Sequence, residues 1–277
     1  MTNVLRTLIW DEQVSLTIAD TTKIVQGGIK LHNLSGEKAE TFAKALSFLT
    51  FMASALKEQT GEVSLSIKTS GKILDLTASG NANLNIRGYL DWQETALTLF
   101  GDGALTLVRD DGYSRPFVGA CGLIKDGTLD ENFEEYYRIS EQLPTFISTK
   151  YVENGEGRVA FSGIIVLQPL PFASEETLAK IPVQMERMKI LEAVKEKGVF
   201  ETSKEVFGVE EKACSFKTAQ YRCNCSREYL KGVLVSLGED EFRNIVKEDG
   251  AVRVHCHYCN SDYTFDETDA NEIFKNK

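Results

Sequence analysis

The sequence predicts an α+β protein in three parts: a mixed sheet-and-helix N-terminal domain, a helical linker and a small C-terminal domain. Three observations predict it. Short alternating apolar runs and one long helix-periodic segment fill the chain up to residue 171. Beyond Pro169 and Pro171 the texture turns charged and helix-prone. Five of the six cysteines then fall between Cys214 and Cys259. The expected boundaries are 1–171, 172–220 and 221–277.

In the first part, "SGEKAETFAKALSFLTFMASALKEQTG" places Phe42, Leu46, Leu49, Met52 and Leu56 at helical spacing. It is rich in Ala, Leu, Lys and Glu and closes with Gly61, which predicts one long amphipathic helix packed against the sheets. "EVSLSIKTS" alternates Val63, Leu65 and Ile67, and "ALTLVRDD" alternates Leu105 and Leu107. Each predicts a strand with one buried face. "ANLNIRGYL" and "TFISTKYV" are further strand candidates, and "RVAFSGIIVLQPL", which becomes continuously apolar, predicts a central strand.

In the linker, "VQMERMKILEAVKEKG" carries Met185, Met188, Leu191 and Val194 on roughly one face. "VFETSKEVFGVEEKACSFKTAQ" gives no single pattern. The segment reads either as a linker with little core of its own or as a pair of surface helices. In the C-terminal part, "SREYLKGVLVSLG" spaces Leu230, Val233, Leu234 and Leu237 as a helix face ended by Gly238. "EDEFRNIVKEDG" repeats the device with Phe242, Ile245 and Val246, ending at Gly250. "AVRVHC" and "DYTF" alternate as short strands around "HCHYCNS". So small an apolar payload is marginal alone and needs a staple.

The cysteines supply it. "YRCNCSREY" brings Cys223 and Cys225, and "HCHYCNS" brings Cys256 and Cys259. Zn2+ takes about four soft ligands in a tetrahedron, and thiolates suit it. The C-x-x-C is the usual knuckle. The C-x-C is tighter, and its sulfurs share one ion only if the backbone bends sharply at Asn224. The third part is therefore expected to be a zinc-binding domain holding one ion per chain in the reduced state. Its excess negative charge finds plausible partners in turn amides, Arg222 and Arg227. Structural zinc sites contribute about 10–16 kcal/mol of apparent binding energy, so metal and fold are coupled. His255 and His257 are expected to be spectators, because four cysteines complete the shell. Cys214 is either an extra cysteine or a swapped ligand or resolving thiol. Cys121 reads as a buried small apolar residue.

Composition narrows the function classes. The chain has 277 residues, 42% hydrophobic and 26% charged, with a formal charge of -10. Such acidity argues against a broad nucleic-acid face. No stretch approaches the roughly 20 apolar residues of a membrane span, the N-terminus carries no basic-then-apolar leader, and a cytoplasmic, reducing location is the default. The cysteine quartet leaves two readings open. One is a static zinc ribbon that docks a protein or nucleic-acid partner. The other is a switch, since each close-spaced pair can close on itself, Cys223 with Cys225 and Cys256 with Cys259. Closure removes metal ligands and with them part of the folding energy. An enzyme is disfavoured: "GDGALTL" lacks the spacing and Lys of a phosphate loop, and Glu134, Glu135 and Glu141 read as a solvated face and structural contacts.

The sequence resembles the redox-regulated 33 kDa heat-shock chaperonin family of bacteria. The resemblance rests on "CNCSRE" and "CHYCNSDYTF" with "LGEDEFRNIVKEDG" between them. It extends through "NIRGYL", "GDGALTLVRDDG", "RPFVG", "YYRISEQLPTFIS" and "SGIIVLQPLP", nearly the full length. It implies an ATP-independent holdase, not an enzyme, that binds unfolding client proteins under oxidative stress. It also implies that Cys223, Cys225, Cys256 and Cys259 ligate zinc when reduced and form Cys223–Cys225 and Cys256–Cys259 disulfides when oxidised. Zinc release, an unfolded metal domain and linker, and a homodimer follow from the same resemblance. Cys121 and Cys214 lie outside the family's four-cysteine pattern.

Overall fold

The structure, a computed structural model, describes residues 3–274. The chain divides into two compact units, Met1–Arg222 and Cys223–Lys277. The first opens with β1 (Val4–Ile9), β2 (Val14–Asp20), α1 (Thr22–His32) and α2 (Gly36–Ser54). There follow β3 (Glu62–Thr69), β4 (Ile73–Asn81), β5 (Asn85–Trp92), β6 (Gly103–Asp110), β7 (Phe117–Gly122) and α3 (Leu129–Tyr136). Next come β8 (Phe146–Glu153), β9 (Val159–Pro169), α4 (Glu175–Ala179), α5 (Gln184–Lys197), α6 (Val199–Phe207), β10 (Ser215–Lys217) and β11 (Gln220–Tyr221).

Two sheets result, ordered β10-β1-β2-β9-β8 and β11-β5-β4-β3-β6-β7. Strand β9 lies inside the first, and its "IIVL" run explains itself by burial on both faces. Ile164 and Val166 join the core around α2, while Ile165 and Leu167 face the opposite way, towards α5 and α6. The α+β class is as the sequence predicts.

Helix α2 departs from expectation. It stops at Ser54 instead of reaching Gly61, and it is not amphipathic: Phe42, Leu46, Phe48, Leu49 and Phe51 are all buried. Packing against strands of both sheets leaves it no broad solvent face. Its few hydroxyls are satisfied within the core; Thr21, Ser47 and Ser162 lie 2.6–3.3 Å from one another.

Helix α5 also corrects the predicted face. Leu191 and Val194 are buried and Met188 half-buried, but Met185 is 71% exposed. Arg187 takes the inward place at 5% exposure. Its guanidinium donates to Ser148 Oγ at 2.9 Å, to the Pro182 carbonyl at 2.7 Å and to the Ile147 carbonyl at 3.3 Å, with Glu134 Oε1 at 3.5 Å. A charged side chain thus holds an inward position because polar partners on β8 and α3 receive it. After α6 the chain adds β10 antiparallel to β1 and β11 parallel to β5. Segment 172–220 is therefore packed on the first sheet and stitched at its end into both sheets.

The second unit contains α7 (Arg227–Val235), α8 (Glu239–Asp249), β12 (Val252–Cys256), β13 (Ser261–Phe265) and α9 (Glu267–Ile273). Leu230, Leu234, Phe242, Val252, Phe265, Ala270 and Phe274 form its core. Val233 and Leu237 stay partly exposed. Gly250 in the left-handed region ends α8, as its place in the sequence predicts. Helix α9, which contributes Ala270, is a short element that the sequence reading missed. Among the described residues, no helix is long and apolar enough to cross a membrane.

Candidate metal centre

Two backbone devices aim the four sulfurs. At the C-x-C, the Cys225 N–H donates to Cys223 Sγ at 3.5 Å, which is the sharp bend this spacing requires. Ser226 follows as an extended N-cap, its Oγ accepting from the Tyr229 N–H at 3.1 Å, so α7 starts immediately beyond the pair. At the C-x-x-C, Cys256 ends β12 opposite Ser261. The Cys259 N–H donates to the Cys256 carbonyl at 3.2 Å, and Asn260 turns through a left-handed φ of 50°. The knuckle is the connection of the β12–β13 hairpin.

Cys223, Cys225, Cys256 and Cys259 come together with all four sulfurs within 4.8 Å of one another. Cys223 and Cys256 are 3.7 Å apart, and Cys225 and Cys259 are 3.2 Å apart. A tetrahedron with metal–sulfur bonds of about 2.3 Å has edges of about 3.8 Å. The donor set fits one soft, tetrahedral ion: four sulfurs drawn from two loops, with no carboxylate among them. Burial pushes the Cys223 and Cys256 thiols up. Burial acts upwards on Cys259 too, but hydrogen bonding with Ser261 and the neighbouring cysteines outweighs it and brings the thiol down to about 7. A dication reverses the penalty of burying several thiolates together, because its charge becomes the largest in the site.

The groups around the sulfurs differ in part from expectation. His255 Nδ1 meets Asp262 Oδ1 at 2.8 Å, and its ring lies edge-on to His257. Arg227, expected to offset the thiolate charge, instead donates from Nη2 to Asp269, 2.7 Å from each carboxylate oxygen. It also donates to the Thr264 carbonyl and covers the Phe265 ring. A carboxylate at the start of α9 competes for it, and α9 was not read from the sequence. Two hydroxyls were missed. Ser261 Oγ lies 3.3 Å from Cys259 Sγ, and Tyr263 Oη lies 3.3 Å from Cys225 Sγ. The signal was period-two placement on β13, which puts residues 261 and 263 on one face of the hairpin.

The remaining candidates are structural. Cys121 is buried on β7, its thiol pushed up to about 11 by burial and by Glu135. Burial likewise raises Cys214, which packs among the side chains between the first sheet and α5–α6. Neither belongs to the four-sulfur group. A cavity of about 680 Å³ in the first unit is bordered by Glu131, Glu134 and Glu135. Each carboxylate is engaged: Glu131 caps α3 with Thr128, Glu134 accepts from the Ile147 N–H, and Glu135 pairs with Arg138. Glu141 accepts from Arg109 and Tyr136.

Comparison with known proteins gives one answer. A family model described as "Hsp33 protein" matches residues 3–266. The 33 kDa chaperonin of Bacillus cytotoxicus is 29% identical over 289 residues, covering 98% of both chains. That of Bacillus cereus strain G9842 is 29% identical over 290 residues, covering 99% of this chain and 98% of the other. The crystal structure of the 33 kDa chaperonin (heat shock protein 33 homolog) from Thermotoga maritima has a TM-score of 0.79 at 24% identity. It covers 99% of this chain and 98% of that one, and at this identity it speaks to the fold.

Proposed function

The chain belongs to the Hsp33 protein family, and from that membership we propose that it is a redox-regulated, ATP-independent holdase that binds unfolding client proteins. It is not an enzyme. The observation that carries the regulatory half is the convergence of Cys223, Cys225, Cys256 and Cys259 into one group able to hold a metal ion. The ion is Zn2+, one per chain, held by these four residues while they are reduced. When bound, it supplies a cross-link between the two loops and keeps four thiolates together in a unit whose own core is small.

The protein's part in the switch follows from the loops. Two two-electron oxidations, one for each pair, join Cys256 to Cys259 and Cys223 to Cys225, each within its own loop. Either disulfide takes two donors from the set, and the cross-link between α7's leading segment and the β12–β13 hairpin is lost. The small unit then opens, the linker 172–220 loosens from the first sheet, and its Leu- and Met-bearing surface becomes available to clients. The oxidised protein acts as a homodimer. Reduction reverses the change in the cytoplasm, where thiols are otherwise kept reduced.

One titration tests this. Peroxide is added to reduced, zinc-loaded protein while released zinc, free thiols and suppression of a heat-unfolding client's aggregation are followed. All three should change together. Retained zinc with oxidant-independent activity would identify a static zinc ribbon and end the switch reading.

A further inference from the structure

Two features of the second unit belong to one hairpin. Strands β12 and β13 carry the C-x-x-C in their connection, and Tyr263 lies on β13 opposite Val254. The Tyr263 ring packs against the small core, and its hydroxyl reaches 3.3 Å from Cys225 Sγ on the other loop. The contacts at Cys223 and Cys259 differ in kind. The Cys225 N–H on Cys223 comes from within the C-x-C, and Ser261 Oγ beside Cys259 comes from the end of its own turn. Tyr263 alone of these three crosses from the hairpin to the opposite pair.

We propose that Tyr263 is an interlock between the two cysteine pairs: its hydroxyl donates to Cys225 Sγ and keeps that sulfur slow to react until the β12–β13 hairpin has opened. Tyr263 is a positioning residue, acting through Cys225, and the inference rests on the redox switch described above. A hydrogen bond to a thiolate occupies the electron pair that would attack an oxidant. With peroxide, a hairpin thiolate attacks one oxygen and breaks the O–O bond, giving a sulfenic acid and hydroxide. The partner thiolate then displaces a second hydroxide and the S–S bond forms. Two thiolates lose two electrons, and one peroxide gains them. Once Cys256 and Cys259 are joined in this way, the hairpin is no longer tied to the C-x-C loop. Tyr263 withdraws, and Cys223 and Cys225 consume a second peroxide by the same steps. The first disulfide therefore licenses the second.

The test is Tyr263→Phe, which keeps the packed ring and removes the donor, with Ser261→Ala as a control that touches only Cys259. The zinc-loaded fraction of each protein is treated with peroxide, quenched by alkylation at intervals and digested, and the two cysteine peptides are quantified by mass spectrometry. In the unmodified protein, Cys223–Cys225 should lag Cys256–Cys259. In Y263F the lag should shrink by about fivefold, on the order expected for the net contribution of one hydrogen bond. S261A should change the rate at which Cys256–Cys259 closes, with Cys223–Cys225 still following it. A merely structural role would lower the melting temperature and speed both pairs alike, leaving their ratio fixed; that result, or an unchanged lag, overturns the interlock. If the unmodified protein binds no zinc or forms neither disulfide, the switch reading itself fails and the interlock with it.

Discussion

At the scale of single residues, Arg187 is the polar group whose loss the fold should feel most. It reaches inward from α5 and is received by Ser148, two carbonyls and Glu134. Arg187→Met keeps much of the volume and removes every donor, leaving the Glu134 carboxylate and two carbonyls short of a partner. Breaking a buried pair from one side costs about 3–5 kcal/mol. Glu134 retains some contact with solvent, with 32% of its side chain exposed, so the low end applies. Urea unfolding of the reduced variant should show that loss, with α5 the first region to exchange its amides. A loss below about 1 kcal/mol, the level of a surface pair, would mean the guanidinium does not hold the linker down. The pH dependence has a definite sign. Burial raises both Asp130 and Glu134, whose carboxylates accept from the Thr149 and Ile147 N–H groups. Carboxyls raised in the folded state favour it most below their unfolded range, and that contribution fades as pH rises through the folded values. Mild acidification should therefore tighten the α3–β8 edge, and faster exchange at Ile147 and Thr149 near pH 5 than at pH 7, after correction for the intrinsic rate, would contradict this.

At the scale of elements, β11 matters most because it is the last structured piece before Cys223. Its Tyr221 lies over Gly27 and Gly28 of α1; the phenol O–H donates to the Gly88 carbonyl at 3.1 Å, and its oxygen meets His32 Nε2 at 3.0 Å. A Cβ at Gly28 would stand 2.7 Å from Phe42 Cε1 and 2.8 Å from Tyr221 Cε2. Gly28→Ala should cost about 1–3 kcal/mol by overpacking, and the relief should come at the two-residue β11 rather than at the deeply buried Phe42. Hydrogen exchange at Tyr221 and Arg222 should rise while that of α2 is unchanged; the reverse pattern would show that β11 is firmly held. Nothing in "TAQYRC" marks such a strand, since its pairing is with β5, remote in sequence, and two residues carry no period. The longer elements were legible for the opposite reason. Val63, Leu65 and Ile67 alternate over a strand with one face against α2, and Phe242 with Ile245 and Val246 marks α8. Helix α2 was recognised as a helix but misjudged as amphipathic, because burial between two sheets erases the polar face from which periodicity is read. Arg187 was invisible at its true position because a buried cation looks like a surface one until its receivers on β8 are known. The four cysteines were legible because metal-ligand spacing is local within each loop, whereas Tyr263 needed the register of the hairpin.

At the scale of the molecule, the two units are unequal in what holds them. The first has two extensive cores, one around α2 and one under α5 and α6, built from residues spread along most of its length. Among the described residues, the second has one cluster, led by Phe242 and Phe265. It is helped by the Arg227–Asp269 pair and by the Asp266 capping box of α9. Caps and part-exposed pairs contribute about 1 kcal/mol each, and a core this small leaves a unit of this length marginal against its chain entropy. A metal bound by the four sulfurs supplies more than either, so removing it should open the second unit and leave the sheets of the first intact. Under reducing conditions with a zinc chelator, amides of α7, α8 and the β12–β13 hairpin should lose their protection while those of β3, β4 and β9 keep it. Calorimetry should retain the main unfolding transition of the first unit. Restoring zinc should restore protection in the second unit without oxidant or reductant being changed, which separates loss of metal from damage to thiols. If α7 to α9 remain protected in the chelated, fully reduced protein, the second unit stands on its own core, and disulfide formation would have to open it by strain instead of by removing its cross-link.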